Sequence, residues 1–173
     1  IEPFKDVFVH GIVRDNQGRK MSKTLGNGVD PLDVIEDYGT DSLRMSLIMG
    51  TTPGNDIRYS NDKVESASNF ANKLWNASKF VLMQLEDIEK FAEKDITELD
   101  FAKMIDVDKW IISKLNTVVK EITENIEKYD LGVAIQKIYD FIKNDFCDWY
   151  IEIVKPRLFN KEDSSRYTVQ YIL

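Results

Sequence analysis

The strongest constraint on the fold of this chain is a helical repeat between residues 61 and 85. Small and apolar residues recur there at alternating spacings of three and four residues: Val64, Ala67, Ala71, Leu74, Ser78, Val81 and Leu85. Because an α-helix turns once in about 3.6 residues, this spacing puts these side chains on one face. The pattern predicts a long helix, capped by Asn61 or Asp62, whose apolar face other elements must cover.

Two later stretches carry apolar stripes of the same kind. They run from about residue 107 to 128 and from about 131 to 154. We predict that the second stretch ends at Lys155-Pro156, because the residue before a proline avoids the α-helical conformation. A further helix is expected to start at Arg166. Helices that each carry one apolar stripe pack as an antiparallel bundle, so we predict a mainly α fold.

The part before the bundle has a different pattern. β-branched and aromatic residues at 7–9 and 12–13 flank turn residues at 15–18, which predicts a β-hairpin over residues 3–24. We therefore expect two domains. Residues 1–60 form a small β-hairpin and α part, and residues 61–173 form the helical bundle.

Helix boundaries in the first domain are marked by capping residues. Asp30 is expected to cap a helix that begins with Pro31 and ends at Gly39. Thr40 is expected to cap the following helix, which the glycine- and proline-rich residues 50–55 terminate. Farther along, acidic residues concentrate between 86 and 108, which predicts a solvated connector between the first two long helices.

The composition excludes several classes of site. The formal net charge of −7 has the wrong sign for a protein that coats nucleic acid, although Arg14, Arg19, Lys20 and Lys23 form a local cationic cluster. With one cysteine and one histidine, the chain supplies neither a disulfide nor a cluster of soft metal ligands. We expect Cys147 to be a buried, unreactive thiol and expect no metal held by the protein itself.

The cationic cluster lies in a loop that carries the main functional signal. Residues 18–27 read Gly-Arg-Lys-Met-Ser-Lys-Thr-Leu-Gly-Asn. Glycines give such a loop backbone freedom, and two lysines three residues apart can present ammonium groups to a polyphosphate. If negative charge on the phosphates grows during the reaction, these ammonium groups stabilise the transition state more than the ground state.

The same ten residues resemble the Lys-Met-Ser-Lys-Ser loop of the class I aminoacyl-tRNA synthetases, with Thr24 in place of the final serine. The strings at 3–15, 52–58, 69–77 and 147–152 resemble the valyl-tRNA synthetases in particular. Isoleucyl- and leucyl-tRNA synthetases match these strings less well and remain alternatives. A helical interaction module with an accidental basic loop is the other alternative.

The resemblance implies a catalytic role for the loop. Lys20 and Lys23 are then the catalytic residues, and Lys20, Met21, Ser22 and Lys23 bind the phosphates of ATP, which arrives with Mg²⁺. The enzyme family joins valine to ATP, releases pyrophosphate and transfers the valyl group to tRNA(Val). Residues 1–60 correspond to the end of a Rossmann-like catalytic domain, and residues 61–173 to a truncated anticodon-binding domain.

The resemblance also sets limits. The family needs a His-x-Gly-His motif, and this chain has only His10, so we expect the fragment alone to be inactive. We expect the whole enzyme to be a cytoplasmic monomer.

Recognition of tRNA is expected on the first long helix, where polar residues share one side: Asn72, Lys73, Asn76 and Lys79. Unpaired bases are bound by stacking on aromatic side chains and by hydrogen bonds to their edges. The tryptophans Trp75, Trp110 and Trp149 are nevertheless expected to lie in the core, because each stands in an apolar helical run.

Overall fold

The computed structural model describes residues 3–86 and 104–173. Most of the predicted acidic connector at 86–108 lies outside these described residues. The described elements, in chain order, are β1 (Val13–Arg14), α1 (Pro31–Tyr38), α2 (Thr40–Ile48), β2 (Ile57–Arg58), α3 (Asn61–Leu85), α4 (Asp106–Glu127), α5 (Leu131–Asp140), a π-helix (Phe141–Tyr150), α6 (Ile151–Phe159) and α7 (Arg166–Ile172). The mainly helical fold class is thereby confirmed.

The chain divides into two compact units. The first comprises Ile1–Asn72 and Lys120–Ile138, and the second comprises Lys73–Val119 and Tyr139–Leu173. No helix within the described residues is both long enough and apolar enough to cross a membrane.

The sheet of the first unit differs from the predicted hairpin. Strand β1 pairs in parallel with β2, with Val13 opposite Ile57. The hairpin itself is reduced to one antiparallel bridge between Arg14 and Lys20, and residues 7–9 form no strand. The strand signal at 12–13 was therefore interpreted correctly to within a residue, but the partner of this strand lies beyond two helices. A two-residue strand such as β2 is too short for an alternating pattern to mark it in the sequence.

Helices α1 and α2 pack with the start of α3 around a small apolar cluster. Val34, Leu43 and Val64 are buried at its centre, one from each helix. The side chain of Asp30 accepts a hydrogen bond from the Leu32 amide at 2.8 Å, so this predicted cap is confirmed. The predicted Thr40 cap is wrong.

A single glycine both ends α1 and begins α2. Gly39 adopts φ 86°, donates its N–H to the carbonyl of Ile35 and accepts from the amide of Leu43. Thr40 is therefore already inside the helix, and no side chain caps α2. Glycine fits because this backbone region is unfavourable for residues with a Cβ atom.

Two glycines allow close backbone contacts elsewhere in the first unit. A Cβ atom added to Gly132, in α5, would lie 2.1 Å from the carbonyl oxygen of Thr51. A Cβ atom on Gly11 would lie 1.9 Å from the carbonyl oxygen of Asn55. Any side chain at either position would force these backbone segments apart.

The second unit is a helical bundle. Lys114 of α4 forms an ion pair with Asp145, and Asp108, nearer the start of α4, forms one with the later Arg157. Because the earlier residue of α4 contacts the later partner, α4 runs antiparallel to the helical stretch that follows α5. Ile111, Tyr150, Val154, Leu158 and Val169 form the buried core of this bundle.

A buried ion pair fixes the start of α4 against the end of α6. Asp108 is 0% exposed and accepts two hydrogen bonds from the Arg157 guanidinium, at 2.8 and 2.9 Å. It also accepts from the Tyr150 hydroxyl at 3.2 Å and from the Ile105 amide at 3.2 Å. Each oxygen of the carboxylate thus has partners, which offsets the cost of burying its charge.

The helical stretch that follows α5 contains a π-helix, and its buried residues differ at one position from the predicted stripe. The predicted stripe included Phe146, Tyr150 and Ile153, but Ile153 is 45% exposed while Val154 is fully buried. Hydrogen bonds from residue i to i+5 widen the helix, and the amide of Ile151 accordingly donates to the carbonyl of Phe146. The buried residues nevertheless recur at spacings of three and four, so the error lay in continuing the stripe from Tyr150 to Ile153 instead of Val154.

The predicted end of this helix at Lys155-Pro156 is wrong. Helix α6 continues through Pro156 to Phe159, and the amide of Asn160 donates to the Pro156 carbonyl at 3.2 Å. Leu158, on this last turn, is 1% exposed. The adjacent Arg157 makes the buried ion pair. These tertiary contacts outweigh the local preference of the residue before proline.

Candidate functional site

The signature loop, residues 18–27, stands on a tight turn organised by Asp15. The backbone amide of Asp15 donates to the carbonyl of Arg19 at 3.0 Å, and Gly18 donates back to Asp15 at 2.9 Å. The carboxylate accepts the amides of Gln17 and Arg19 at 3.1 and 2.7 Å, together with the Arg19 guanidinium at 2.7 Å. Asp15 is therefore almost completely buried although it lies at the base of a surface loop.

The side chain of Asn27 closes the loop onto that turn. Its Nδ2 donates to Asp15 Oδ2 at 2.9 Å and to the Lys20 carbonyl at 3.3 Å. Its Oδ1 accepts the amide of Ser22 at 2.9 Å. The hydrogen bond from Asn27 is the largest cause of a pKa of about 2 for the Asp15 carboxyl, so this carboxyl is charged at neutral pH.

Within the loop, the hydroxyl of Ser22 accepts the amide of Leu25 at 3.2 Å, and Gly26 donates to the carbonyl of Lys23 at 3.2 Å. Gly26 adopts φ 60°, the left-handed region that this turn requires. Ser22 therefore acts inside the loop, where it shapes the turn that carries Lys23.

The four cations of the cluster fall into two groups. The arginines are paired, Arg19 with Asp15 and Arg14 with Asp56. Lys20 and Lys23 are exposed, and their ammonium groups form no ion pair with a carboxylate of residues 3–86 or 104–173. The two loop lysines are thus the cations left available for an anionic ligand.

A polar cavity of about 380 Å³ lies beside the base of the loop. Its lining combines loop residues with the start of α3: Asp15, Asn16, Arg19, Met21, Asn27, Val29, Tyr59, Ser60, Asn61 and Asp62. Met21 is partly buried and contributes to this wall, while the adjacent Lys20 is on the exposed surface.

The four residues predicted to contact nucleic acid are on α3. Asn72, Asn76 and Lys79 are exposed. Lys73 is partly buried and forms an ion pair with Asp148 of the π-helix. The helix therefore leaves three of the four predicted residues available at its surface, while the fourth is engaged within the second unit.

Two of the predicted core tryptophans are exposed. Trp75 is 68% exposed and Trp149 is 62% exposed, so their assignment to the core was wrong. Trp110 packs against the core of the second unit, as predicted. The misassignment rested on the position of Trp75 beside Leu74 and one turn after Ala71, but Leu74 is itself 40% exposed in this part of α3.

Cys147 is buried, and this burial raises the pKa of its thiol. A thiol that stays protonated is a poor nucleophile. The prediction that Cys147 is buried is confirmed, and its lack of reactivity stays a prediction.

Two family models match the chain. The model for class I tRNA synthetases for isoleucine, leucine, methionine and valine covers residues 1–60. The model for the anticodon-binding domain of tRNA ligases covers residues 108–173. The first match contains the signature loop, and the second contains most of the helical bundle.

Curated relatives match almost the full chain. Valine–tRNA ligase of Clostridium acetobutylicum is 56% identical over 98% of the chain, and that of Clostridium perfringens is 53% identical over 99%. That of Symbiobacterium thermophilum is 54% identical over 99%. The chain spans 18–19% of the length of these relatives, or about a fifth.

Solved structures share the fold at lower identity. The ternary complex of Agrobacterium radiobacter LeuRS with tRNA and LeuAMS has a TM-score of 0.68 at 20% identity, over 94% of this chain and 19% of that one. Mycobacterium tuberculosis methionyl-tRNA synthetase in complex with methionyl-adenylate also has a TM-score of 0.68, at 22% identity, over 94% of this chain and 31% of that one.

The helical bundle and the signature loop are therefore those of the class I aminoacyl-tRNA synthetases. Within that class, the chain belongs to the valine–tRNA ligase family.

Proposed function

We propose that this chain is the part of a valine–tRNA ligase that holds the ATP phosphates and contacts tRNA(Val). The enzyme joins valine to ATP with release of pyrophosphate, and then transfers the valyl group to the tRNA. The observation that carries the proposal is the division of the loop cations, in which both arginines are paired and both lysines are left for a ligand.

Lys20 and Lys23 have the chemistry that the first step needs. Negative charge moves onto the departing pyrophosphate as the bond to the α-phosphate breaks. Ammonium groups at the end of flexible stems can follow that charge, so they bind the transition state more strongly than ATP itself. The backbone of Met21 and Ser22 lies between them and supports the phosphates. Mg²⁺ accompanies ATP and is held chiefly by the phosphates.

The second domain, residues 61–173, supplies the tRNA contacts. Exposed Asn72, Asn76 and Lys79 offer hydrogen-bond donors and a charge on α3, and the exposed ring of Trp75 adds a surface on which a base can stack. Lys73 contributes through its ion pair, which fixes the side chain beside the π-helix. Residues 1–60 are the end of the catalytic domain. The whole enzyme acts in the cytoplasm as a monomer.

The amino acid is tested by ATP–pyrophosphate exchange with the full-length enzyme. We expect exchange that depends on valine and exceeds that with leucine or isoleucine, followed by charging of tRNA(Val). Because a hydrophobic pocket separates valine from isoleucine by size alone, the expected preference is about a hundredfold. Stronger exchange with isoleucine or leucine would assign the chain to the corresponding ligase.

The isolated chain provides a second test. It lacks the His-x-Gly-His motif of the catalytic centre, so we expect no exchange from it with any amino acid. Valine-dependent exchange by the isolated chain would contradict this assignment of roles.

A further inference from the structure

Asn27 holds together three separate parts of the signature loop. Its side-chain amide donates to Asp15 in the turn below the loop and to the carbonyl of Lys20 at the loop entrance. Its carbonyl oxygen accepts the amide of Ser22, between the two lysines. The sequence from Lys20 to Asn27 is thereby closed into a ring by one side chain.

The geometry requires an amide at this position. Asp15 and the Lys20 carbonyl are both acceptors, while the Ser22 amide is a donor. A carboxamide satisfies all three because it carries two N–H donors and one carbonyl acceptor. An aspartate has no donor to offer, and it would bring a second carboxylate to within 2.9 Å of the Asp15 oxygen. An alanine would satisfy none of the three.

We propose that Asn27 is a positioning residue for adenylate formation, which presents Lys20 and Lys23 together to the phosphates. This inference rests on the proposed function of the loop and adds a role for a residue that acts through the arrangement of the two lysines. Removing the side chain frees both ends of the ring, so the lysines no longer share one arrangement when pyrophosphate departs. Loss of positioning slows the chemical step even where every reacting group is still present.

The test compares Asn27→Asp with Asn16→Asp in the full-length enzyme. Both variants add one negative charge at the base of the loop. Asn16 is exposed, so the control reproduces the charge without breaking the ring. Single-turnover adenylate formation from ATP and valine is measured first. We expect Asn27→Asp to slow it by about 10- to 100-fold, and Asn16→Asp by less than about threefold.

A second reaction separates positioning from general damage. Transfer of the valyl group from preformed adenylate to tRNA follows the release of pyrophosphate, so it does not need the two lysines on the phosphates. We expect the transfer rate of Asn27→Asp to stay within about twofold of wild type. Equal losses in both steps, or equal adenylate formation in the two Asp variants, would overturn the proposal.

If Asn27→Asp does not yield folded enzyme, Asn27→Ala removes the same hydrogen bonds without added charge, and a rate of adenylate formation equal to that of the wild type would overturn the proposal.

Trypsin cleavage after Lys20 and Lys23 tests the ring independently of activity. We expect faster cleavage at these two bonds in Asn27→Ala than in wild type or Asn16→Asp, with unchanged cleavage at sites in the helical bundle. Cleavage of the loop at an unchanged rate would contradict the closure of the ring by Asn27. If the wild-type enzyme forms no adenylate with valine, the proposed function fails, while the cleavage result still decides the role of Asn27 in the loop.

Discussion

The buried Asp108–Arg157 pair predicts a large loss of stability when either partner is removed. In Asp108→Ala, the Arg157 guanidinium loses two hydrogen bonds of 2.8 and 2.9 Å while 87% of its side chain remains buried, since only 13% is exposed. The Tyr150 hydroxyl, on a residue that is 0% exposed, loses an acceptor. The variant therefore leaves one charge and one hydroxyl in the core without their partner.

The magnitude follows from these two groups. Breaking a buried ion pair by removing one partner costs about 3–5 kcal/mol, and an unsatisfied hydroxyl costs about 1–3 kcal/mol. Because both groups share Asp108, the costs do not add fully. We expect the free energy of unfolding to fall by about 4–6 kcal/mol, which is a large part of the stability of a typical domain.

Urea unfolding followed by circular dichroism measures this difference, with Asp106→Ala as the control. Asp106 is exposed on the first turn of α4, where a carboxylate contributes about 0.3–1 kcal/mol through the helix dipole. The variant Asp108→Leu/Arg157→Met should be less destabilised than Asp108→Ala, because it removes both charges together. Equal stabilities for the two alanine variants would refute the account of this pair.

Two further predictions concern stability. Burial, and then the neighbouring Asp108, raise the pKa of Tyr150 above the ordinary value of 10.0, so the unfolded protein releases this proton at a lower pH than the folded protein. The free energy of unfolding therefore falls as the pH rises above about 10. In urea titrations between pH 10 and 11, Tyr150→Phe should lose less stability than wild type, and parallel curves for the two proteins would contradict the shift. Gly132→Ala should lower the melting temperature, because the new Cβ atom would lie 2.1 Å from the carbonyl oxygen of Thr51. Overpacking of this kind costs about 1–3 kcal/mol. The control Gly28→Ala should change the melting temperature little, because no atom lies within 4 Å of the position of its Cβ atom.

The helical part of the fold could be predicted because long apolar stripes determine where helices lie. The predicted helix at 61–85 agrees with α3, and the stretch at 107–128 agrees with α4 to within a residue at each end. The caps at Asp30 and Gly39 follow from local chemistry that the sequence displays directly. Such features need no knowledge of distant contacts.

The errors lie where distant contacts decide the structure. Strand β1 pairs with residues 57–58, far along the chain, and no local pattern marks that partner. The helix continues past Pro156 because Arg157 and Leu158 are anchored in the core. The exposed Trp75 and the 40% exposed Leu74 show that a stripe of apolar residues is not buried along its whole length, since burial depends on what packs against each turn of the helix.

The candidate site was only partly predictable. The lysines of the loop are visible as a motif, but the pairing of Arg14 and Arg19 with carboxylates emerges from the fold. The role of Asn27 was missed for the same reason. Its signal in the sequence is weak: an asparagine that directly follows the glycine at the end of a loop.

The most direct test of the central claim is single-turnover adenylate formation by full-length Lys23→Ala at saturating ATP and valine. The control is Lys161→Ala, an exposed lysine of the helical part. If Lys23 stabilises the charge that develops on pyrophosphate, the rate should fall by about 10²- to 10³-fold while the affinity for ATP changes by less than about threefold. A rate equal to that of Lys161→Ala, or a loss confined to ATP affinity, would contradict the assignment of the loop.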